Sequence, residues 1–437
     1  MRLAVVTPFV DRQHGTERAL AELLDRLSRE YGCEIRLYAE RVADLSVISP
    51  PDEKPVILSR SKDGEGSQLS PNRPTQQDPG AIAKNAGAAS PVGSITWHRV
   101  PSIPGPHLFK FLFWILANTA MRWWHRVARG QRVDLVLSPG INCLDADFII
   151  VHALFRRLRA LSAEPSAQSD AGEAQSVGLL RRLHRRAYYA TVAALERIVY
   201  SNRKTRLAAV SRRTADLLGR YFNRTDVTVI YNGIDTVKFS VPARLARRQG
   251  ARYRRNFSDK ELVLLLIGND WRVKGLPTIL AAMAATRDLP LRLILVGSDV
   301  AAISKHNAQQ LGIADRCRWE SPSPDVIDFY AAADVYVSPS QEDSFGLPVA
   351  EAMACGLPVI TSKFAGVSEL IQNERDGLIL PDPTNSAALS DLFRGLCENA
   401  NARTTLGSAA AATAQSFTWD RTASETWQWL QPTKLSR

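Results

Sequence analysis

The chain has 437 residues, enough for roughly two to three domains of about 150 residues. Hydrophobic residues make up 45% and charged residues 23%, the balance of a soluble globular protein rather than of a fibrous or disordered one. The formal charge of +11 favours polyanionic partners such as nucleic acid, anionic lipid or phosphorylated substrates without choosing among them. Five scattered cysteines (Cys33, Cys143, Cys317, Cys355, Cys397) form no CxxC pair. That spacing argues against a zinc ribbon, and the odd count argues against a disulfide framework, so reduced thiols in a reducing, cytoplasmic compartment are expected.

The opening LAVVTPF reads as a buried strand rather than a signal peptide. Asp11 to Gly15 follows as a loop, and Thr16 to Glu30 as a helix with apolar residues at helical spacing (Ala19, Leu20, Leu23, Leu24, Leu27). Glu34 to Tyr38 is the next strand, which makes the opening a βαβ unit of a parallel sheet. Residues 50–93 are rich in Ser, Gly, Pro, Gln and Asn and read as a disordered insertion without catalytic residues. Order resumes with a strand at Ile95 to Val100, a helix over Leu108 to Arg126 and a strand at Asp134 to Ser138. The apolar run Phe111 to Ala117 is far shorter than the about 20 residues a bilayer span needs. The surrounding FLFWILANTAMRWW is read as a core helix, with interfacial contact as the other reading.

Strand FIIVH ends at His152, and a polar loop covers 162–177. A basic helix then runs from Leu179 to Ser201, followed by strands at Arg206 to Ser211 and Val227 to Ile230. Together with FRRLR (Phe155 to Arg159), the stretch from Arg181 to Arg206 interleaves cations with Tyr188, Tyr189 and Tyr200. It is either a solvated helix face or a contact for an anionic lipid surface. No RRM, KH, zinc-finger or helix-turn-helix signature is present, so nucleic acid is not an expected partner.

A second βαβ series follows, with strands at Leu262 to Gly268, Leu291 to Gly297, Val335 to Ser340 and Pro358 to Ser362. Two such series mean two doubly wound α/β domains, with ligands at the carboxyl ends of the strands in the cleft between them. The expected division is an N-terminal domain over 1–235, a C-terminal domain over 236–415 and a last segment over 416–437. No Gly-x-Gly-x-x-Gly follows the first strand, which disfavours a dinucleotide-dependent dehydrogenase.

The densest chemical signal is SPSQEDSFGLPVAEAMACGLPVITS, Ser338 to Ser362. A strand ends in a turn, an acidic pair (Glu342, Asp343) precedes Phe345-Gly346, and a short helix begins near Leu347. The first N–H groups of a helix lack internal partners and sit at the positive end of its dipole, so a phosphate can dock there. Asp343 and Glu351 flank that point, and carboxylates accept hydrogen bonds from sugar and ribose hydroxyls. A helix-start carboxylate plus a solvated Glu is the plainer reading of the pair.

The block resembles the acidic-x7-Glu signature of retaining glycosyltransferases of the GT-B fold, family 4. TPFVDRQHGTERALAELLDRL, VIYNGIDTVKF, GNDWRVKGLPTIL and LILVGSD resemble that family's first loop and helix, interdomain segment, phosphate loop and following strand. The phosphate loop looks most like that of bacterial lipopolysaccharide-core glucosyltransferases. The resemblance implies that Lys274 contacts the donor diphosphate, Asp343 the donor sugar and Glu351 the ribose. The amides of Phe345, Gly346 and Leu347 would cap the distal phosphate, and Gly15 would pass close to the phosphates. His14 replaces the loop's first glycine. Asn269 stands where many members carry a phosphate-binding Arg, and nearby Arg272 is the substitute. Lys274, Asp343 and His152 are the residues expected to carry the chemistry. Asp145 and Asp147 line the acceptor side or cap a turn.

No metal site and no cofactor are expected. The donor is a UDP-sugar by default, and a GDP- or ADP-sugar fits the same site. The expected reaction is retaining transfer of a hexose-type sugar to a cell-envelope glycan or lipid-linked acceptor, as in lipopolysaccharide or polysaccharide biosynthesis. The expected place is the cytoplasm, with peripheral association at the inner face of the membrane. A GT-B nucleotide-sugar epimerase and a non-catalytic sugar-nucleotide-binding or scaffold protein are the alternatives. SFTWDRTASETWQWL resembles the family's last helix, which crosses back to the N-terminal domain, so Trp419, Trp427 and Trp429 are expected to include interdomain packing residues.

Overall fold

A computed structural model describes residues 1–12, 15–43, 45, 93–163, 179–299 and 301–431. The insertion expected at 50–93 and the loop expected at 162–177 fall almost wholly outside the described residues, as does His14. In the N-terminal domain the strands are β1 (Arg2–Val6), β2 (Phe9–Val10), β3 (Glu34–Ala39), β4 (Arg41–Val42), β5 (Ser94–Arg99), β6 (Leu135–Ser138), β7 (Phe148–Val151), β8 (Arg206–Ala209) and β9 (Thr228–Val229). Its helices are α1 (Gly15–Arg29), α2 (His107–Ala128), α3 (Phe155–Ala163), α4 (Leu179–Tyr200) and α5 (Arg212–Phe222). Seven strands form one parallel sheet in the order β5-β3-β1-β6-β7-β8-β9, and β2 pairs with β4 beside it.

The second domain begins with α6 (Val241–Tyr253). Its sheet has the order β12 (Cys317–Glu320), β11 (Leu291–Val296), β10 (Leu262–Ile267), β13 (Val335–Ser338), β14 (Val359–Ser362), β15 (Leu378–Leu380), again all parallel. The helices are α7 (Leu276–Ala285), α8 (Ala301–Gln310), α9 (Ile327–Ala332), α10 (Leu347–Ala354), α11 (Ser386–Glu398), α12 (Ala400–Ala414) and α13 (Trp419–Leu430). β10 reads LVLLLI because both faces of its sheet are covered, and Leu262 to Leu266 are all buried. Strand order reverses between β1 and β6 and again between β10 and β13. Those are the points where loops at the carboxyl ends diverge and leave a crevice.

Helix α2 corrects an expectation. Trp114, Ile115 and Asn118 face the core, but Phe109, Leu112, Leu116, Trp123 and Val127 form a stripe on the opposite side and are exposed. The helix is too apolar for one face, and its sequence carries no acidic residue to mark the outer one. The basic stretch is corrected as well. Arg206 lies in β8, over the rings of Phe148 (4.9 Å) and Trp429 (5.8 Å), and Arg203 pairs with Asp226 at 3.5 Å. Neither belongs to one continuous cationic face.

The chain crosses between the domains twice, and the crossings touch. The amide of Ile234 donates to Phe417 O at 2.8 Å, and Ile234 and Thr418 form a parallel bridge. A Cβ on Gly233 would fall 2.4 Å from the Trp419 nitrogen, so only glycine fits. After the second crossing Thr418 caps α13 by accepting from the Arg421 amide, and the helix lies against α1. Trp429 meets Phe148 edge-on at 4.8 Å, Trp427 meets Tyr31 at 5.2 Å, and Arg26 bonds Asp420 at 2.6 Å. One apolar cluster runs without a break from Leu3 and Leu24 through Trp419 and Trp429 to Val263 and Val349. Trp429→Ala should lower stability by about 3–5 kcal/mol, since it removes a buried aromatic from that seam. Thermal melting checks this, and a melting point equal to wild type would rule out the seam as a stabilising contact.

Candidate functional site

Two loops of the C-terminal domain meet at the β10/β13 crevice. The loop after β10 runs Gly268 to Gly275. Gly268 and Gly275 have φ of 145° and 84°, in the region that favours glycine. A Cβ on Gly275 would fall 2.2 Å from Pro339 O, so the loop after β10 is pressed against the loop after β13. The Gln341 amide donates to Val273 O at 2.8 Å and joins the two. Trp271 is buried, and its amide donates to Asp299 at 2.8 Å. The Asn269 side chain accepts from the Ser298 amide at 2.8 Å, so its oxygen braces the loop after β11. Arg272 is half-buried and has no side-chain partner among the described residues.

That packing aims Lys274 at the second loop. Its stem lies along Gly268, where a Cβ would come 3.4 Å from Cε, and its ammonium pairs with Asp343. The backbone of Asp343 is fixed on both sides: its amide donates to Phe364 O at 3.1 Å and its carbonyl accepts from Gly366 at 2.9 Å. Gly346 then turns the chain into α10 with φ of 94°. The amides of Phe345, Gly346 and Leu347 have no acceptor among the described residues, and the next residue, Pro348, has no N–H. Three unsatisfied donors therefore stand at the positive end of α10, beside an ammonium. One turn on, Glu351 is buried; Tyr330 Oη donates to it at 2.7 Å, and Arg18 of α1 pairs with its other oxygen.

From the N-terminal domain, Gly15 opens α1 beside α10, with its Cβ position 3.7 Å from Leu347. His152 follows β7 directly, forms no hydrogen bond among the described residues, and has its pKa lowered by burial to about 4, which leaves it neutral at physiological pH. Asp145 is spent on Arg122 at 2.6 Å, and Asp147 accepts the Val136 amide at 2.8 Å, so both serve local structure. Among the described residues no group of three His, Cys, Asp or Glu is placed to hold a metal ion.

Several residues escape the motif reading. Glu342, next to Asp343, turns the opposite way and takes Arg157 at 3.0 Å and Arg213 at 2.7 Å, both from the N-terminal domain. Arg157, from the basic FRRLR run, is neither on a solvated face nor on a lipid-facing one; it points into the cleft. Glu369 accepts the Arg212 and Arg213 amides at 2.8 and 2.7 Å and caps α5 from across the cleft. Glu196, fully buried, accepts the Phe155 and Arg156 amides at 2.7 and 2.9 Å and so fixes the start of α3, the helix that carries Arg157. Burial raises its pKa to about 7, against the pull of those hydrogen bonds. The acidic pair, the Glu-Arg of the first helix and the FRRLR run were visible signals, but nothing in them specifies a partner more than a hundred residues away.

Residues 248–413 match the sequence family described as Glycosyl transferases group 1. A D-inositol 3-phosphate glycosyltransferase of Pseudarthrobacter chlorophenolicus is 32% identical over 233 residues, 50% of this chain and 54% of the relative. The chain thus spans about half the length of the curated relatives it matches. Among solved structures, WaaG, a glycosyltransferase involved in lipopolysaccharide biosynthesis, superposes with a TM-score of 0.71 at 17% identity over 98% of this chain and 99% of WaaG. Anabaena HepE, solved in complex with UDP-glucose, superposes with a TM-score of 0.63 at 16% identity over 98% of this chain and 100% of HepE. The fold is GT-B, with two parallel-sheet α/β domains facing across a cleft. Residues 248–413, within its C-terminal domain, form a glycosyl transferase group 1 domain.

Replacing Glu342 with Gln should loosen the cleft by leaving Arg157 and Arg213 without a counter-charge. A loss of about 1–3 kcal/mol is expected, with a larger radius of gyration in small-angle scattering. An unchanged radius and melting point would exclude Glu342 as an interdomain tie.

Proposed function

We propose that the protein is a retaining glycosyltransferase that moves a hexose-type sugar from a nucleotide-diphosphate donor, by preference a UDP-sugar, to a cell-envelope glycan or lipid-linked acceptor. The observation that carries the reading is the alignment of Lys274 with the three unpartnered amides at the start of α10, between Asp343 and Glu351. Breaking a sugar–phosphate bond builds negative charge on the leaving diphosphate. An ammonium and preorganised N–H donors stabilise that charge with no reorganisation at the moment of reaction. Arg272 is the second cation available to the phosphates. Asp343 receives the hydroxyls of the donor sugar and Glu351 those of the ribose. His152, as a neutral imidazole, offers one donor and one acceptor to the sugar. The leaving phosphate oxygen takes the acceptor's proton on the same face, so retention needs no separate side-chain base. UDP-glucose bound to HepE and the glycosyltransferase names of the relatives support this reading.

The acceptor side rests on α2. Leu116, Trp123 and Val127 are 69%, 62% and 61% exposed along a 22-residue helix, and no acidic residue occurs from Ser94 to Val133. Lys110, Arg126 and Arg129 are exposed on the same helix or just past its end. An apolar stripe on a helix whose own charged residues are all cations suits an anionic lipid surface. Self-pairing of the stripe would instead bring like charges together. No helix among the described residues is long and apolar enough to cross a membrane, so the contact would be peripheral.

Thermal shift and hydrolysis assays over UDP-, GDP- and ADP-sugars should single out one donor, and EDTA should leave activity intact. Lys274→Ala should cut transfer by about 10²–10³-fold. If no donor stabilises the protein, the reading is lost and a scaffold role gains. Co-sedimentation with phosphatidylglycerol vesicles at low salt should exceed that with phosphatidylcholine, and Leu116→Glu with Trp123→Glu should weaken it by about tenfold or more. Equal partitioning of wild type and variant would remove the membrane from the account.

A further inference from the structure

Glu351 poses a problem of charge compensation. It sits 3% exposed on α10, inside the C-terminal domain. One carboxylate oxygen receives the Tyr330 hydroxyl at 2.7 Å, a neutral donor. The one cation paired with it among the described residues is Arg18, on α1 of the other domain. A buried carboxylate without an opposite charge is strongly disfavoured, so the charge compensation of Glu351 depends on a residue across the cleft. Arg18 is itself well placed to hold still. Its side chain is 19% exposed, and Gly15, one turn earlier in α1, lies against Leu347 at the start of α10. Helix α1 is in turn clamped by α13 through Arg26 and Asp420.

We propose that Arg18 is a positioning residue for donor recognition. From the N-terminal domain it supplies the counter-charge that holds the Glu351 carboxylate in place for the ribose of a nucleoside diphosphate. The proposal rests on the reading that Glu351 receives the ribose. It adds that ribose recognition is not a property of the C-terminal domain alone. The pair consumes one lone-pair direction of Oε1 and the Tyr330 hydroxyl one of Oε2. A carboxylate offers about four, so two remain for ribose hydroxyls. Because Arg18 moves with the N-terminal domain, opening the cleft removes the counter-charge and the orientation together, and nucleotide affinity falls as the domains part.

The test compares binding of UDP with binding of 2′-deoxy- and 3′-deoxy-UDP by calorimetry to the full chain, with thermal melting as a check on folding. Should another nucleotide emerge from the donor panel, its diphosphate and deoxy forms take the same place. Wild type should prefer the ribose form over at least one deoxy form by about tenfold, the size expected of a hydrogen bond to a charged group. Arg18→Ala should lose most of that preference, and Arg18→Lys should restore part of it, since a point charge replaces a fork. Glu351→Gln should lose the preference too, and adding Arg18→Ala to it should change nothing further, because the two act as one unit. Full ribose preference in a folded Arg18→Ala protein would overturn the proposal while leaving the donor site intact. Absence of nucleoside-diphosphate binding by wild type would instead overturn the donor-site reading and this proposal with it.

Discussion

Three carboxylates of the C-terminal domain are satisfied by the N-terminal domain, and the geometry of the cleft depends on them. Glu342 takes Arg157 and Arg213, Glu351 takes Arg18, and Glu369 takes the first amides of α5. All three flank the loop after β13 or the helix that follows it. The acidic lip of one domain is thereby matched to the basic lip of the other. Such pairs hold orientation more than they add stability, because each charge has first to lose its water. Their value here is register: they place the starts of α1, α3 and α5 opposite the start of α10.

Beneath that lip the loops after β10 and β13 are set by backbone contact rather than by side chains. Gly275 touches the backbone of Pro339, and a Cβ on Gly297 would lie 2.2 Å from Gly268 O. Loops packed this closely cannot slide, so Lys274 and the free amides of α10 share one rigid frame. Rigid donors aimed at a developing charge are what leaving-group stabilisation requires. Asn269 belongs to the same frame: its side chain accepts from the Ser298 amide and so braces the neighbouring loop.

Much of this was legible in the sequence, and the reason is local. Short uninterrupted apolar runs bounded by turn residues, such as LVLLLI before Gly268, read as strands covered on both faces, and their alternation with helices points to two parallel sheets. Gly346 followed by Pro348 marks a helix start, and the spacing of Asp343 and Glu351 places both at its mouth. What stayed hidden depends on contacts between distant segments. Nothing near Glu342 distinguishes it from Asp343, yet one faces arginines of the other domain and the other faces Lys274. Arg157 and Arg206 looked like parts of one cationic surface because sequence shows charge without direction. Helix α2 misled for the opposite reason: apolar on both sides, it satisfies the pattern of a core helix while only Trp114, Ile115, Asn118 and His125 are buried.

The two crossings between the domains lie side by side, joined by the Ile234–Phe417 hydrogen bond, with Gly233 flush against Trp419. Two adjacent tethers act as the pins of a door. They permit swinging about the line that runs through them and resist twisting or sliding, because either would pull one tether away from the other. Such a pair of tethers favours a hinge over a slide. A contact that bridges the two domains, Glu351 to Arg18 among them, would part on such a swing.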